Sequence, residues 1–118
     1  MKRLAMLSPT LIIVSLLGTI LLCPSEDLRA QERAAIAIAV KNKRFEPTEI
    51  RGPANRPLSI EVKNLDAAPI EFESVSLRVE KVIAPGTAGV VNVRALAPGR
   101  YEFFDDFHPQ TRGVLIAQ

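Results

Sequence analysis

From residue 58 onward, apolar and polar residues change places at nearly every step, and turn-forming residues interrupt the alternation at short intervals. Leu58, Ile60 and Val62 share one parity, while Ser59, Glu61 and Lys63 take the other. Ile70, Phe72 and Ser74 alternate with Glu71 and Glu73, Val91 and Val93 with Asn92 and Arg94, and Tyr101 and Phe103 with Glu102 and Phe104. A period of two puts one set of side chains in a core and the other in water, so each run reads as a half-buried strand. Gly52-Pro53, the cluster 64–69, Pro85-Gly86 and Pro98-Gly99 supply the turns between runs. Upstream, 34–40 alternates Ala with Ile and Val, and 44–51 is extended with Pro47 marking an edge. Residues 77–83 continue extended, and 113–117 form an apolar closing strand. No helical period competes outside the N-terminal segment. The pattern predicts an all-β chain: an antiparallel Greek-key β-sandwich of seven or eight strands. Its expected core holds Ile60, Val62, Phe72, Val91, Val93, Tyr101 and Phe103. Trp is absent and only five Phe and one Tyr are present, so Val, Ile and Leu must supply most of the rest.

Residues 1–30 have the three parts of a secretory signal. Lys2 and Arg3 form a basic start, Leu11 to Leu22 an apolar run, and Pro24 to Ala30 a polar end closing on a small residue. Cleavage after Ala30 leaves a single domain, 31–118, of roughly 88 residues, enough to bury its own core. The apolar run is short for a membrane span, so no stable span is expected once the signal is removed. The expected location is the periplasm.

Removing the signal leaves 12 basic residues against 11 acidic ones. Such a balance gives no electrostatic footprint for nucleic acid. The single cysteine, Cys23, lies in the signal. Residues 31–118 therefore offer no disulfide, thiolate zinc site or cysteine nucleophile. With His108 as the only histidine, a multi-histidine metal site within one chain is excluded.

The chemistry-bearing residues cluster late in the chain. A Pro98-Gly99 turn feeds an aromatic strand that ends in Asp105 and Asp106, followed by His108, a loop and the last strand. Oxygen ligands beside one imidazole suit iron, manganese or Cu(II) better than Cu(I). Glu71 and Glu73 are further candidates. A plainer reading makes the aspartates turn caps and the glutamates a solvated strand face. Glu80-Lys81 reads as a surface ion pair or, alternatively, as a pair that orients a metal ligand, and Arg100 and Arg112 flank the loop as partners for its carboxylates or as solvated charges.

The order Pro98-Gly99, Tyr101-x-Phe103, His108, Gly113, with Phe45-x-Pro47, Asp66 to Ile70 and Val82 to Gly86 upstream, resembles the cupredoxins, the small copper-protein sandwiches. The resemblance covers about residues 36–118. It implies that the family's first His position is Ile70, its Cys position Asp105, its second His position His108 and its Met position Thr111. One ligand of four is retained, and a blue-copper centre needs a thiolate and two imidazoles. The wording Glu71-Phe-Glu-Ser74 and Tyr101 to His108 is similar to that of cysteine-less cupredoxin-like proteins that accompany bacterial iron permeases.

That likeness implies a periplasmic metal-binding protein of a high-affinity iron uptake system, holding iron or Cu(II) but not type-1 blue copper. His108 is expected as the central ligand, with Asp105 or Asp106 beside it and Glu71 and Glu73 from the neighbouring strand. An iron permease or another periplasmic uptake component is the expected partner. Assistance in iron oxidation belongs to this reading, although nothing in the residues marks a catalytic group. Two alternatives stay open: a copper-handling protein, and a metal-free module that docks on a transporter.

Overall fold

The computed structural model describes residues 33–118, with Gly18 besides. The expected signal segment 1–30, Cys23 and the new N-terminus at Gln31 lie outside this range. Nine strands follow one another: β1 (Ala34–Lys41), β2 (Arg44–Glu46), β3 (Glu49–Gly52), β4 (Leu58–Asn64), β5 (Ile70–Ser74), β6 (Val79–Ile83), β7 (Ala88–Val93), β8 (Gly99–Asp105) and β9 (His108–Ala117). No helix occurs among the described residues. None is therefore long and apolar enough there to cross a membrane. Four strands form one sheet in the order β2-β1-β4-β7, and five form the other in the order β3-β9-β8-β5-β6.

The β-sandwich is the expected one, with three differences in detail. Among the described residues there are nine strands rather than seven or eight. The run 44–51 breaks into β2 and β3, which join different sheets. Pro47 stands at the break, where it offers no N–H to a ladder. The pairing is not purely antiparallel, because β1 runs parallel to β4 and β3 parallel to β9.

Residues 75–78 are turn rather than strand. Ser74 Oγ accepts from the Leu77 N–H (3.1 Å), and Arg78 takes a positive φ of 57° before β6 begins. Leu77 is nevertheless buried, tucked beneath the turn.

The apolar parity of each strand points between the sheets. Ile60, Val62, Phe72, Val91, Val93 and Phe103 are all buried, and Tyr101 is half-buried against the core. The Tyr101 hydroxyl reaches back to donate to the Ala97 carbonyl at 2.8 Å. Phe45 from one sheet meets Phe72 and Phe103 from the other at ring-centroid distances of 6.1 and 4.9 Å, edge to face. Phe72 and Phe103 lie 5.0 Å apart within their own sheet. Phe103 sits over Gly113, its partner in register on β9, where any β-carbon would fall within 2.5 Å of the ring. Glycine is required there by the close approach of the ring.

Candidate metal centre

The two aspartates after Phe104 part company at the end of β8. Asp105 keeps the inward parity of Tyr101 and Phe103 and is 1% exposed, while the register with β9 shifts between Phe104 and Asp105. Its Oδ1 accepts the Glu71 N–H at 2.9 Å and the Phe107 N–H at 3.0 Å. The Nδ1–H of His108 donates to its Oδ2 at 2.8 Å. Asp105 thus ties the start of β5 to the β8–β9 turn and orients the imidazole. With Nδ1 carrying the proton, Nε2 of a neutral ring keeps its lone pair for a ligand, the tautomer that a metal-binding histidine needs.

Asp106 stays exposed, and its N–H donates to the Glu71 carbonyl at 2.9 Å. This bond lays the turn against β5. One ligand oxygen from each of Glu71, Glu73 and Asp106 then lies within 4.8 Å of the others. Phe72 occupies the core, and the alternation of β5 sends its two glutamates to the other face. The turn at Asp106 comes round to meet them there. The structure therefore divides the five expected residues into two adjoining groups: an Asp105–His108 pair, and a Glu71–Glu73–Asp106 set to which His108 does not belong.

The carboxylates disturb one another. Glu71 is raised from 4.5 to about 7, first by its hydrogen bond with Glu80, then by desolvation and by the nearby charges of Glu80, Asp106 and Glu73. Glu73 is raised by desolvation and by the charges of Asp106 and Glu80. Glu80 was not among the expected ligands and was read only together with Lys81. It faces Glu73 directly across the β5–β6 pairing, which the alternation of both strands foreshadows once the hairpin register is known. The expected Glu80-Lys81 ion pair does not form. The two side chains leave opposite faces of β6, and Lys81 Nζ donates instead to the Val90 carbonyl at 3.2 Å. Arg100 and Arg112 do not hold the loop carboxylates either. Arg100 lies 3.8 Å from Glu49, and Arg112 lies over the Phe104 ring.

A pH dependence follows from the Glu71 shift. Between pH 4.5 and about 7 the folded protein keeps a proton on Glu71 that the unfolded chain has lost. Folded molecules bind more protons in that window, so stability falls as pH rises through it. Thermal melting followed by circular dichroism across this range should show the decline. Glu71→Gln, which cannot ionise, should flatten the curve and melt higher than wild type above the window.

The other face of His108 lines an open pocket of about 360 Å³ together with Asn42, Lys43, Asp66, Ala67, Ala68 and Ile70. Asp66 builds its rim by accepting the Asn42 and Lys43 N–H groups at 2.7 and 2.9 Å. Buried Asn64, at the end of β4, ties the loop that follows it to the end of β6 by donating to the Ala68 and Ile83 carbonyls. Thr111 Oγ1 donates to the Lys43 carbonyl at 2.7 Å, so the β9 strand closes the same end. Ile70, Asp105, His108 and Thr111, the four positions matched to copper ligands by resemblance, stand together at this end as one apolar side chain, one bonded Asp–His pair and one bonded hydroxyl. The described residues contain no cysteine.

Comparison with known proteins bears on the fold. Reduced auracyanin from Roseiflexus castenholzii superimposes with a TM-score of 0.62 at 17% identity, over 72% of this chain and 97% of that one. Auracyanin A from Chloroflexus aurantiacus, a "blue" copper protein, gives 0.61 at 15% identity over 74% and 100%. A purple cupredoxin from Nitrosopumilus maritimus gives 0.54 at 18% identity over 72% and 99%. An uncharacterized protein of Rickettsia prowazekii (strain Madrid E) is 33% identical over 82 residues, which are 69% of this chain. The chain spans 66% of that relative's length. The family model of the cupredoxin-like domain matches residues 11–117, nearly the whole sequence, and the two-sheet sandwich agrees with it: the chain belongs to the cupredoxin-like domain family.

Proposed function

We propose that this protein binds a hard metal ion, iron before Cu(II), in the periplasm and serves a high-affinity iron uptake system. The observation that carries the reading is the Glu71–Glu73–Asp106 group. Its three carboxylates converge within 4.8 Å, and two of them hold their protons more tightly than usual, Glu71 first through its hydrogen bond with Glu80 and Glu73 first through desolvation, with the repulsion of neighbouring carboxylates adding to both. A cation would relieve that repulsion, and carboxylate oxygens favour iron, above all Fe(III), over Cu(I). The residues do not fit blue copper. Asp105 and Ile70 stand where a thiolate and an imidazole would be needed, and the one imidazole is tied to Asp105. Iron here is cargo, with Glu71, Glu73 and Asp106 holding it, while His108, tied to Asp105, stands outside that group. The N-terminal signal supports export, and the likeness to proteins that accompany iron permeases supports the uptake role.

Calorimetric titration with Fe(II), Fe(III) citrate and Cu(II) tests the reading. The triple variant Glu71→Gln/Glu73→Gln/Asp106→Asn should bind iron at least about tenfold more weakly than wild type. His108→Ala should show a smaller loss. Cu(II) should produce no intense thiolate band. Equal iron binding by wild type and the triple variant would rule out the carboxylate group, and no metal binding at all would favour the metal-free docking module.

A further inference from the structure

The outer face of the five-stranded sheet is acidic at its β5–β6 side and changes character toward β8 and β9. There, Arg100, Glu102 and Phe104 of β8, Arg112 of β9, and Val75 and Ser76 of the β5–β6 turn line an open groove of about 550 Å³. Phe104 is half-buried, and the Arg112 guanidinium lies 5.1 Å from its ring centroid. That contact holds the cation in place without neutralising it. Among the described residues, Arg112 has no carboxylate within salt-bridge distance. Arg100 has Glu49 at 3.8 Å, but its side chain is 71% exposed, so this pair is long and wet. Glu49 is shared with Arg51 at 3.4 Å, so three guanidiniums, Arg51, Arg100 and Arg112, stand against two carboxylates, Glu49 and Glu102, and the patch stays net positive. Val75, 80% exposed, gives the wall an apolar surface.

We propose that this groove docks an acidic segment of a partner protein, with carboxylates on Arg100 and Arg112 and an apolar side chain against Phe104 and Val75. Charge complementarity selects the occupant, because planar carboxylates fit the guanidinium fork. The neighbouring charges fix where it lies. Glu73 pairs with Phe104, and Phe104 with Arg112, on three adjacent strands. The carboxylate group therefore repels an acidic segment from about 10 Å away, two strand spacings, and confines it to the arginine side. The docking itself does not depend on the metal reading.

The test uses fluorescence anisotropy of a labelled Glu-Glu-Phe-Glu-Glu peptide on the metal-free protein in chelator, at low salt. The wild type should bind it, and Arg100→Ala/Arg112→Ala should bind at least about tenfold more weakly. Binding should fade between about 20 and about 300 mM salt, as exposed charge pairs are screened. The triple carboxylate variant should bind as tightly as wild type or tighter, which separates this docking from metal binding. Equal binding by the double-arginine variant overturns the proposal, as does no binding at about 1 mM peptide, a concentration that detects even weak contacts. It is also overturned if the arginines bind phosphatidylglycerol vesicles in place of the peptide, or mediate self-association in sedimentation velocity.

Discussion

Asp105→Ala is expected to destabilise the fold by about 3 kcal/mol, the sum of two stranded backbone donors and a lost charge-assisted bond. The carboxylate is 1% exposed. Its removal leaves the Glu71 and Phe107 N–H groups without their acceptor and His108 Nδ1 without its partner. Asp105→Asn keeps an oxygen for the two backbone donors but sets an amide against the imidazole, so its cost should be smaller, about 1 kcal/mol. Urea denaturation of both variants measures the difference. The substitution reaches the candidate site as well. Asp105 supplies no oxygen to the Glu71–Glu73–Asp106 group, yet it holds the main chain from which Glu71 projects. Iron affinity should fall in Asp105→Ala and return in large part in Asp105→Asn. Equal stability of Asp105→Ala and wild type would show that the bonds at this turn contribute nothing net.

The same residue marks where the sequence could be read and where it could not. Alternation in β4, β5, β7 and β8 identified the buried parity correctly, because one face of each strand meets the opposite sheet. Phe103 inside and Phe104 at the surface follow from that rule alone. The same parity carries Asp105 inward, although a carboxylate there reads as the end of the strand rather than as core, and the register shift of β9 opposite it is not visible in the pattern. Parity marks the position but not its partners, which are backbone N–H groups 2 and 34 residues away.

The beginning of β9 was illegible for another reason. Of His108 to Arg112 only the two end residues pair with β8, and three of the five side chains are exposed, so the segment reads as loop. Parallel pairing of β1 with β4 and β3 with β9 is likewise invisible to local pattern, since it depends on which strands become neighbours across long stretches of chain. The candidate site shares this dependence. Asp106, Glu71 and Glu73 were legible as acidic residues near one end, but their convergence, and the addition of Glu80, rest on the β5–β6 and β5–β8 registers.

Phe103→Ala should cost about 3–5 kcal/mol, the range for emptying a fully buried aromatic position. Three features put Phe103 toward the upper end. Its ring is completely buried. It touches both other core phenylalanines, at 4.9 and 5.0 Å, and so forms part of the contact that joins the two sheets. Its other side rests on Gly113, which has no side chain to move into the space left behind. A domain this small is stable by only about 5–10 kcal/mol, so the variant should stand near the edge of unfolding at 37 °C. Phe103→Leu refills most of the volume and should cost about half as much. Phe104→Ala is the control: one residue along the same strand, half-buried on the outer face, it should cost under about 1 kcal/mol of fold stability. It would also remove the ring beneath Arg112. A paired measurement of denaturant midpoints and peptide binding then separates the two phenylalanines. Phe103 variants should lose stability before binding, and Phe104→Ala should lose binding while remaining folded. If Phe103→Ala costs less than about 1 kcal/mol, the sheets are held together elsewhere and the aromatic cluster is not the centre of the core.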